Sequence, residues 1–287
     1  MQQIWNDVFH APVDLTSLAV FRMLAGCLML LDGLSYARHA PLLLDPGSPL
    51  SHLAWRNGPH ARLFSLLRWL PATPASVRAL CGVYALAGAA LAVGLVTPIA
   101  AATAFLCLIS LHNRNRHAVN AGDALLRILC LFLVFADAGR VLSVDQALSA
   151  APRDAVGSPW ILRLMQIQIC ALYLFSVRFK LEGASWRRLT ATHYATRLLA
   201  HRRRRLPKAL DGRGVHALAT ACVLAVESLG PIGLWFAPTR LASLVGLALL
   251  HVSLLFWMRM HLFQWILLAA LVLFLPGEDL ARLIGSP

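Results

Sequence analysis

The chain has 287 residues, 59% of them hydrophobic and 14% charged, with a formal net charge of +13. A soluble fold of this length has too little interior to hide so much apolar surface, and exposing the rest invites aggregation, so the composition excludes an ordinary soluble domain. The basic residues lie between long apolar runs instead of forming a solvated basic region, which favours membrane-protein loops over a nucleic-acid partner.

The N-terminal stretch MQQIWNDVFHAPVD has no positive n-region and no clear cleavage motif, so the first apolar run is expected to stay in the protein as a helix. A membrane span needs roughly 20 mostly apolar residues. Eight candidates follow, at about 18–36, 76–95, 98–111, 124–141, 161–179, 217–236, 241–258 and 261–275, the third and eighth being short. The second and third are joined only by GLVTP, a Gly/Pro turn that predicts a helical hairpin. HLAWRNGPHARLFSLLRWL (52–70) is amphipathic with tryptophans towards both ends and reads as an interfacial helix. AHRRRRLPKALDGRG (200–214) forms the basic heart of a connector over about 180–216. The expected fold is all-α: one polytopic integral membrane helical bundle over 1–287, with about eight transmembrane helices, the interfacial helix and no separate soluble domain.

All six cysteines lie inside apolar runs, with no CxxC spacing, and read as small core fillers instead of a disulfide framework or zinc site. The histidines are scattered without HxxxH or HExxH, so no metal is expected. Lys and Arg are unevenly divided between the two sets of loops, 17 against 4, which predicts that the side bearing the 180–216 connector is cytoplasmic and both termini external. Parity of the spans places Asp32, Asn120, Asp123 and Lys180 near one membrane face whichever way the molecule is oriented.

Ionisable residues within spans are costly and tend to face a bundle interior, paired. In the fifth span Arg163, Gln166, Cys170, Tyr173, Val177 and Lys180 follow spacings of 3, 4, 3, 4 and 3, which is one helical stripe. That stripe should face other helices. Lys180 at its end either snorkels to water or acts as a base in a dry site. Asn120, Asp123 and Arg127 share one face at the start of the fourth span, where Asn120 suits a helix cap, Asp123 suits the first turn and Asp123 and Arg127 can pair at i, i+4. The density of donors in HNRNRH also suits a headgroup or substrate cleft. Arg22 and Asp32, ten residues apart on the first span, lie about 15 Å apart along a helix and need partners elsewhere. Glu227 in the sixth span is either neutral or paired with a cation such as Arg22, and His251 in the seventh reads as a hydrogen-bonding core residue or a site residue.

Four segments together resemble the horizontally transferred transmembrane (HTTM) family, the membrane domain shared with vitamin K-dependent gamma-carboxylase. They are FRMLAGCLMLLDGL; HNRNRHAVNAGDALLRILCLFLVFADAGRVLSVD; PWILRLMQIQICALYLFSVRFKLEGASW; and ESLGPIGLWFAPTRLASLVGLALLHVSLLFWMRMHLF, and the match covers roughly 15–275. Tyr173 and FKLEGASW are similar to the carboxylase's fifth-span tyrosine and its KKL-D-x-D-W ending. The resemblance therefore implies that Lys180 is a catalytic base acting on a reduced, vitamin K-like quinone. Substrate contacts would come from Asn120, Asp123, Arg127, Tyr173, Gln166, Glu227 and His251, while Arg22, Asp32 and Arg163 would be structural. It also implies a membrane-lipid environment, a lipid-soluble or peptide substrate, and residence in the bacterial inner membrane.

Two departures bear on carboxylation. Where the family carries a histidine in WNNHS, this chain reads VNAGDA, with Gly122 or Asp123 near that position, and no counterpart of the carboxylase's large lumenal domain or loop disulfide is expected. The family topology also puts the lysine outside, opposite to the charge bias. Two functions follow: a carboxylase-like lyase or oxidoreductase, or a non-catalytic lipid- or quinone-binding protein or partner subunit in which Lys180 only snorkels. A transporter fits less well, because neither an internal repeat nor paired broken helices are evident.

Overall fold

The computed structural model describes residues 5, 6, 9–45, 48, 63–150 and 154–285. Every apolar run becomes helical: α1 (Thr16–Leu43), α2 (Pro74–Val93), α3 (Thr97–Arg114), α4 (Ala121–Phe135), α5 (Trp160–Glu182), α6 (Arg213–Gly233), α7 (Ala237–Trp257) and α8 (Phe263–Leu271). A short amphipathic α9 (Gly277–Ile284) follows. Among the described residues, five helices are long and apolar enough to cross a membrane: α1, α2, α5, α6 and α7. By length and composition alone, five of the eight expected spans are supported. The apolar stretch of α3 gives way to His112, Asn113 and Arg114, α4 has 15 residues and α8 has 9 before a 3-10 turn. The proposed interfacial helix falls largely outside the described residues, and Leu66–Arg68 within it form a 3-10 turn.

The chain divides into two compact units, residues 1–163 with 275–287, and residues 164–274. In the first unit α1 and α2 meet through small residues. A Cβ on Gly88 would press on the backbone of α1 at Leu30 N (2.7 Å) and Gly26 O (2.9 Å), and Gly33 faces Ala85. Side chains this small let two helix backbones touch, the packing that membranes favour where water supplies no driving force. α2 starts on Thr73, whose hydroxyl accepts from Ser76 N–H, followed by Pro74. It ends on Gly94 at φ 71°. The turn into α3 needs a positive φ again at Val96 (43°), and Asp145 holds it there. Its carboxylate accepts from Val96 N–H (2.6 Å), Thr97 N–H (2.8 Å) and Thr97 Oγ (2.8 Å). Burial raises the Asp145 carboxyl, but these hydrogen bonds and the nearby Arg22 charge outweigh it and hold the group below its ordinary range. Val13–Asp14 pairs antiparallel with Val156–Gly157 beside α9.

In the second unit the basic connector is folded. Arg197 makes two hydrogen bonds to Asp211 (2.6 and 2.7 Å), and His216 contacts the same carboxylate at 2.9 Å. The Arg202–Met258 bridge is flanked by Arg203 N–H to Trp257 O (2.9 Å) and Arg259 N–H to His201 O (2.6 Å). The connector is therefore stitched to the end of α7 through its backbone.

Candidate functional site

The stripe on α5 faces protein. Gln166, Cys170 and Tyr173 are buried and Val177 and Lys180 half-buried, whereas Leu174, Phe175 and Phe179 on other faces are exposed. At the stripe's start, Arg163 is half-buried at the limit of the first unit. Within the second unit each polar side chain from Gln166 onward is engaged. Gln166 donates to Leu273 O at 2.6 Å, and the Cys170 thiol contacts Pro231 O and accepts from Trp235 Nε1 (3.3 Å).

Tyr173 hydrogen-bonds His251 Nε2 at 2.6 Å, and His251 Nδ1 hydrogen-bonds Gln264 Oε1. Because a carboxamide oxygen only accepts, Nδ1 carries the proton and Nε2 accepts from the Tyr173 hydroxyl. The Gln264 amide is oriented by its other end, Nε2, which contacts Met260 Sδ at 3.5 Å. One turn further along α5, Ser176 Oγ donates to Glu227 Oε2 at 3.3 Å, and Lys180 Nζ donates to the same oxygen. The Lys180 side chain is 21% exposed and that of Glu227 only 9%. Gly183 N–H closes on Lys180 O (3.0 Å), α5 ends, and the following turn brings the Trp186 ring to 5.0 Å from Lys180 Nζ.

Two alternatives left open by the sequence are narrowed by the contacts. Lys180 is tied to Glu227 instead of standing free at the end of α5. The cation for Glu227 is Lys180 instead of Arg22, whose guanidinium donates to Ala138 O (3.3 Å) and Leu142 O (2.6 Å) in the first unit. A long Arg side chain suits carbonyls of a loop end that no helix satisfies. Asp32, also in the first unit, accepts from Tyr84 Oη at 3.2 Å.

Asn120 caps α4, accepting from Gly122 N–H (2.7 Å) and Asp123 N–H (3.1 Å), while Asp123 Oδ2 accepts from Asn120 N–H (2.8 Å). This capping box draws Asp123 back towards the helix start, so the expected Asp123–Arg127 pair does not form, and Arg127 makes no hydrogen bond or ion pair among the described residues. Asn120, Asp123 and Arg127 belong to the first unit, and Gln166, Tyr173, Lys180, Glu227 and His251 to the second. Ser176 and Gln264 were not singled out by the sequence. A lone amide in the apolar run of α8 is the signal that marks Gln264. No group of three His, Cys, Asp or Glu comes together among the described residues.

Long apolar helices carrying inward-facing ionisable side chains define a polytopic integral membrane protein. The chain belongs to the HTTM family: the family model for the HTTM domain matches residues 10–278, running through both units. No curated protein and no solved structure matches it.

Proposed function

We propose that this HTTM protein is a membrane-embedded, gamma-carboxylase-like enzyme in which Lys180 and Glu227 act together as a proton-accepting couple on a quinol-like or other lipid-soluble substrate. The observation that carries the reading is the Lys180–Glu227 pair itself: two ionisable groups, half-buried and buried, on facing apolar helices. Lys180, the more exposed, meets the substrate. Its ammonium proton passes to the Glu227 carboxylate behind it, and the freed amine takes the substrate hydroxyl proton. The couple then holds one extra proton and the substrate is an oxyanion. Tyr173, oriented by His251, supplies a hydroxyl on the same face of α5, and Gln166 shapes the far end of the stripe. The cofactor implied is a reduced, vitamin K-like quinone, and the setting a bacterial inner membrane crossed by all eight apolar helices, the shorter ones shielded by their neighbours.

The resemblance puts Gly122 or Asp123 near the family histidine's position, and Asp123 is taken up by the capping box. The proposed chemistry accordingly extends to proton transfer from a quinol and stops short of glutamate carboxylation. The test supplies reduced quinones, oxygen and bicarbonate to purified wild type, Lys180→Ala and Glu227→Gln. Product from wild type that is lost in both variants is expected, and equal product from all three removes the couple from the mechanism.

A second reading rests on the same pair being already satisfied. Lys180 and Glu227 then tie two helices in a non-catalytic lipid- or quinone-binding protein, or in a partner subunit for a peptide or membrane complex. In that case quinone binds wild type and Lys180→Ala alike and no turnover is seen.

A further inference from the structure

Between α3 and α4, wholly within the first unit, lies a cleft of about 610 Å³, a size usual for small-molecule sites. Two helical stripes line it. From α3 come Phe105, Ile109 and His112, with Arg116 beyond the helix end; from α4 come Asn120 at the cap, then Arg127, Ile128 and Leu131. The helices run in opposite directions, so the polar ends of both stripes coincide, as do the apolar ends. The result is one cleft with a cationic, donor-rich mouth and an apolar body.

Three observations at the mouth point to a guest. His112 is 1% exposed, and among the described residues neither ring nitrogen has a hydrogen-bond partner. A buried imidazole left so is costly, and native proteins rarely tolerate it without a ligand or water. Arg127 has no ion pair or hydrogen bond among the described residues, yet it lies within electrostatic reach of both Arg116 and His112. A guanidinium left without a counter-charge among the described residues, at a mouth rich in donors, suits an entering anion. The Asn120 carboxamide oxygen is occupied by the cap, and its amide N–H groups, which make no hydrogen bond among the described residues, are left to donate. No carboxylate lines the cleft among the described residues.

We infer that this cleft binds an amphiphile with a single anionic oxygen head, carboxylate or phosphate, held by Arg127, Arg116, His112 and Asn120, and an apolar chain laid along Ile109, Ile128 and Leu131. The site is independent of the Lys180 reading, since its residues all belong to the first unit and it requires no turnover.

The test measures equilibrium binding of radiolabelled oleate to the full chain in a neutral detergent. Saturable binding is expected, weakened about tenfold in Arg127→Gln through loss of one charge-assisted contact and largely restored in Arg127→Lys. Leu131→Trp, which fills the apolar body and leaves the mouth intact, should abolish binding, so the inference does not depend on one variant folding. Monoolein, with the same chain and no charge, should not displace oleate. Equal oleate affinity in Arg127→Gln and wild type, or displacement by monoolein as effective as by unlabelled oleate, overturns the proposal. Displacement by inorganic phosphate at the same concentration overturns the amphiphile and leaves a site for a free oxyanion. Each result is read as binding, so loss of quinone turnover in Lys180→Ala neither supports nor weakens it.

Discussion

Removing one partner of the Lys180–Glu227 pair should cost far more than removing both. Lys180→Met strands the Glu227 carboxylate, 9% exposed, with the Ser176 hydroxyl its one remaining hydrogen-bond partner among the described residues. Deleting one member of a buried pair costs about 3–5 kcal/mol, and the partial exposure of Lys180 places this case near 3. Glu227→Gln strands the ammonium instead, but that group is 21% exposed, on a flexible stem, with the Trp186 face at 5.0 Å. Its cost should be about 1–2 kcal/mol. The double variant carries neither charge and should lose about 1 kcal/mol, giving a coupling of about 3–4 kcal/mol. At about 2–4 °C per kcal/mol, melts followed by tryptophan fluorescence in detergent should fall by about 6–12 °C for Lys180→Met and about 2–8 °C for Glu227→Gln, with the double variant within a few degrees of wild type. Additive losses, or a Glu227→Gln variant less stable than Lys180→Met, would refute the pairing and the burial order behind it.

Three further outcomes follow from other parts of the fold. The folded Asp145 carboxyl titrates below its ordinary value of 3.8, so its contribution is complete above that value and disappears as pH falls through the lower folded one. The stability gap between wild type and Asp145→Asn should be constant from pH 8 to 5 and close below about pH 4; a gap that widens on acidification contradicts this. Gly88→Leu drives a side chain into the backbone of α1 and should cost at least about 3 kcal/mol, read as loss of monodisperse protein from membranes, and a normal yield speaks against the close seam. The charge bias predicts a cytoplasmic connector: a cysteine placed at exposed Ala209, in a background lacking the exposed Cys27 and Cys222, should react with an impermeant maleimide only in inside-out vesicles. Labelling from the opposite side would favour the orientation implied by the carboxylase resemblance.

The helices were legible because apolar runs and Gly/Pro turns are local signals, and the burial of Gln166, Cys170 and Tyr173 followed from a 3.6-residue period that the fold keeps. Asn120 as a cap was equally local. Pairings between segments were not. Glu227 is 47 residues from Lys180 and Gln264 is 13 from His251, and no spacing rule connects them. The Asp123–Arg127 expectation failed because two local rules competed for one carboxylate, and the cap, with donors fixed by the backbone, prevailed over a flexible side-chain pair. The connector read as basic, but its backbone bridge to the end of α7 depends on residues over fifty positions apart.

The seam of Gly26, Gly33 and Gly88 has a consequence for motion. Where backbone rests on backbone there are no rotamers to change, so α1 and α2 cannot slide or part by small side-chain adjustments; they behave as a single stiff plate. Any swelling of the first unit to admit a guest must therefore be taken up elsewhere, by the α3–α4 wall, where long side chains can swing aside. The Asp145 clasp on the turn between α2 and α3 then becomes a pivot, and its hydrogen bonds are where a bound guest should register first in amide exchange.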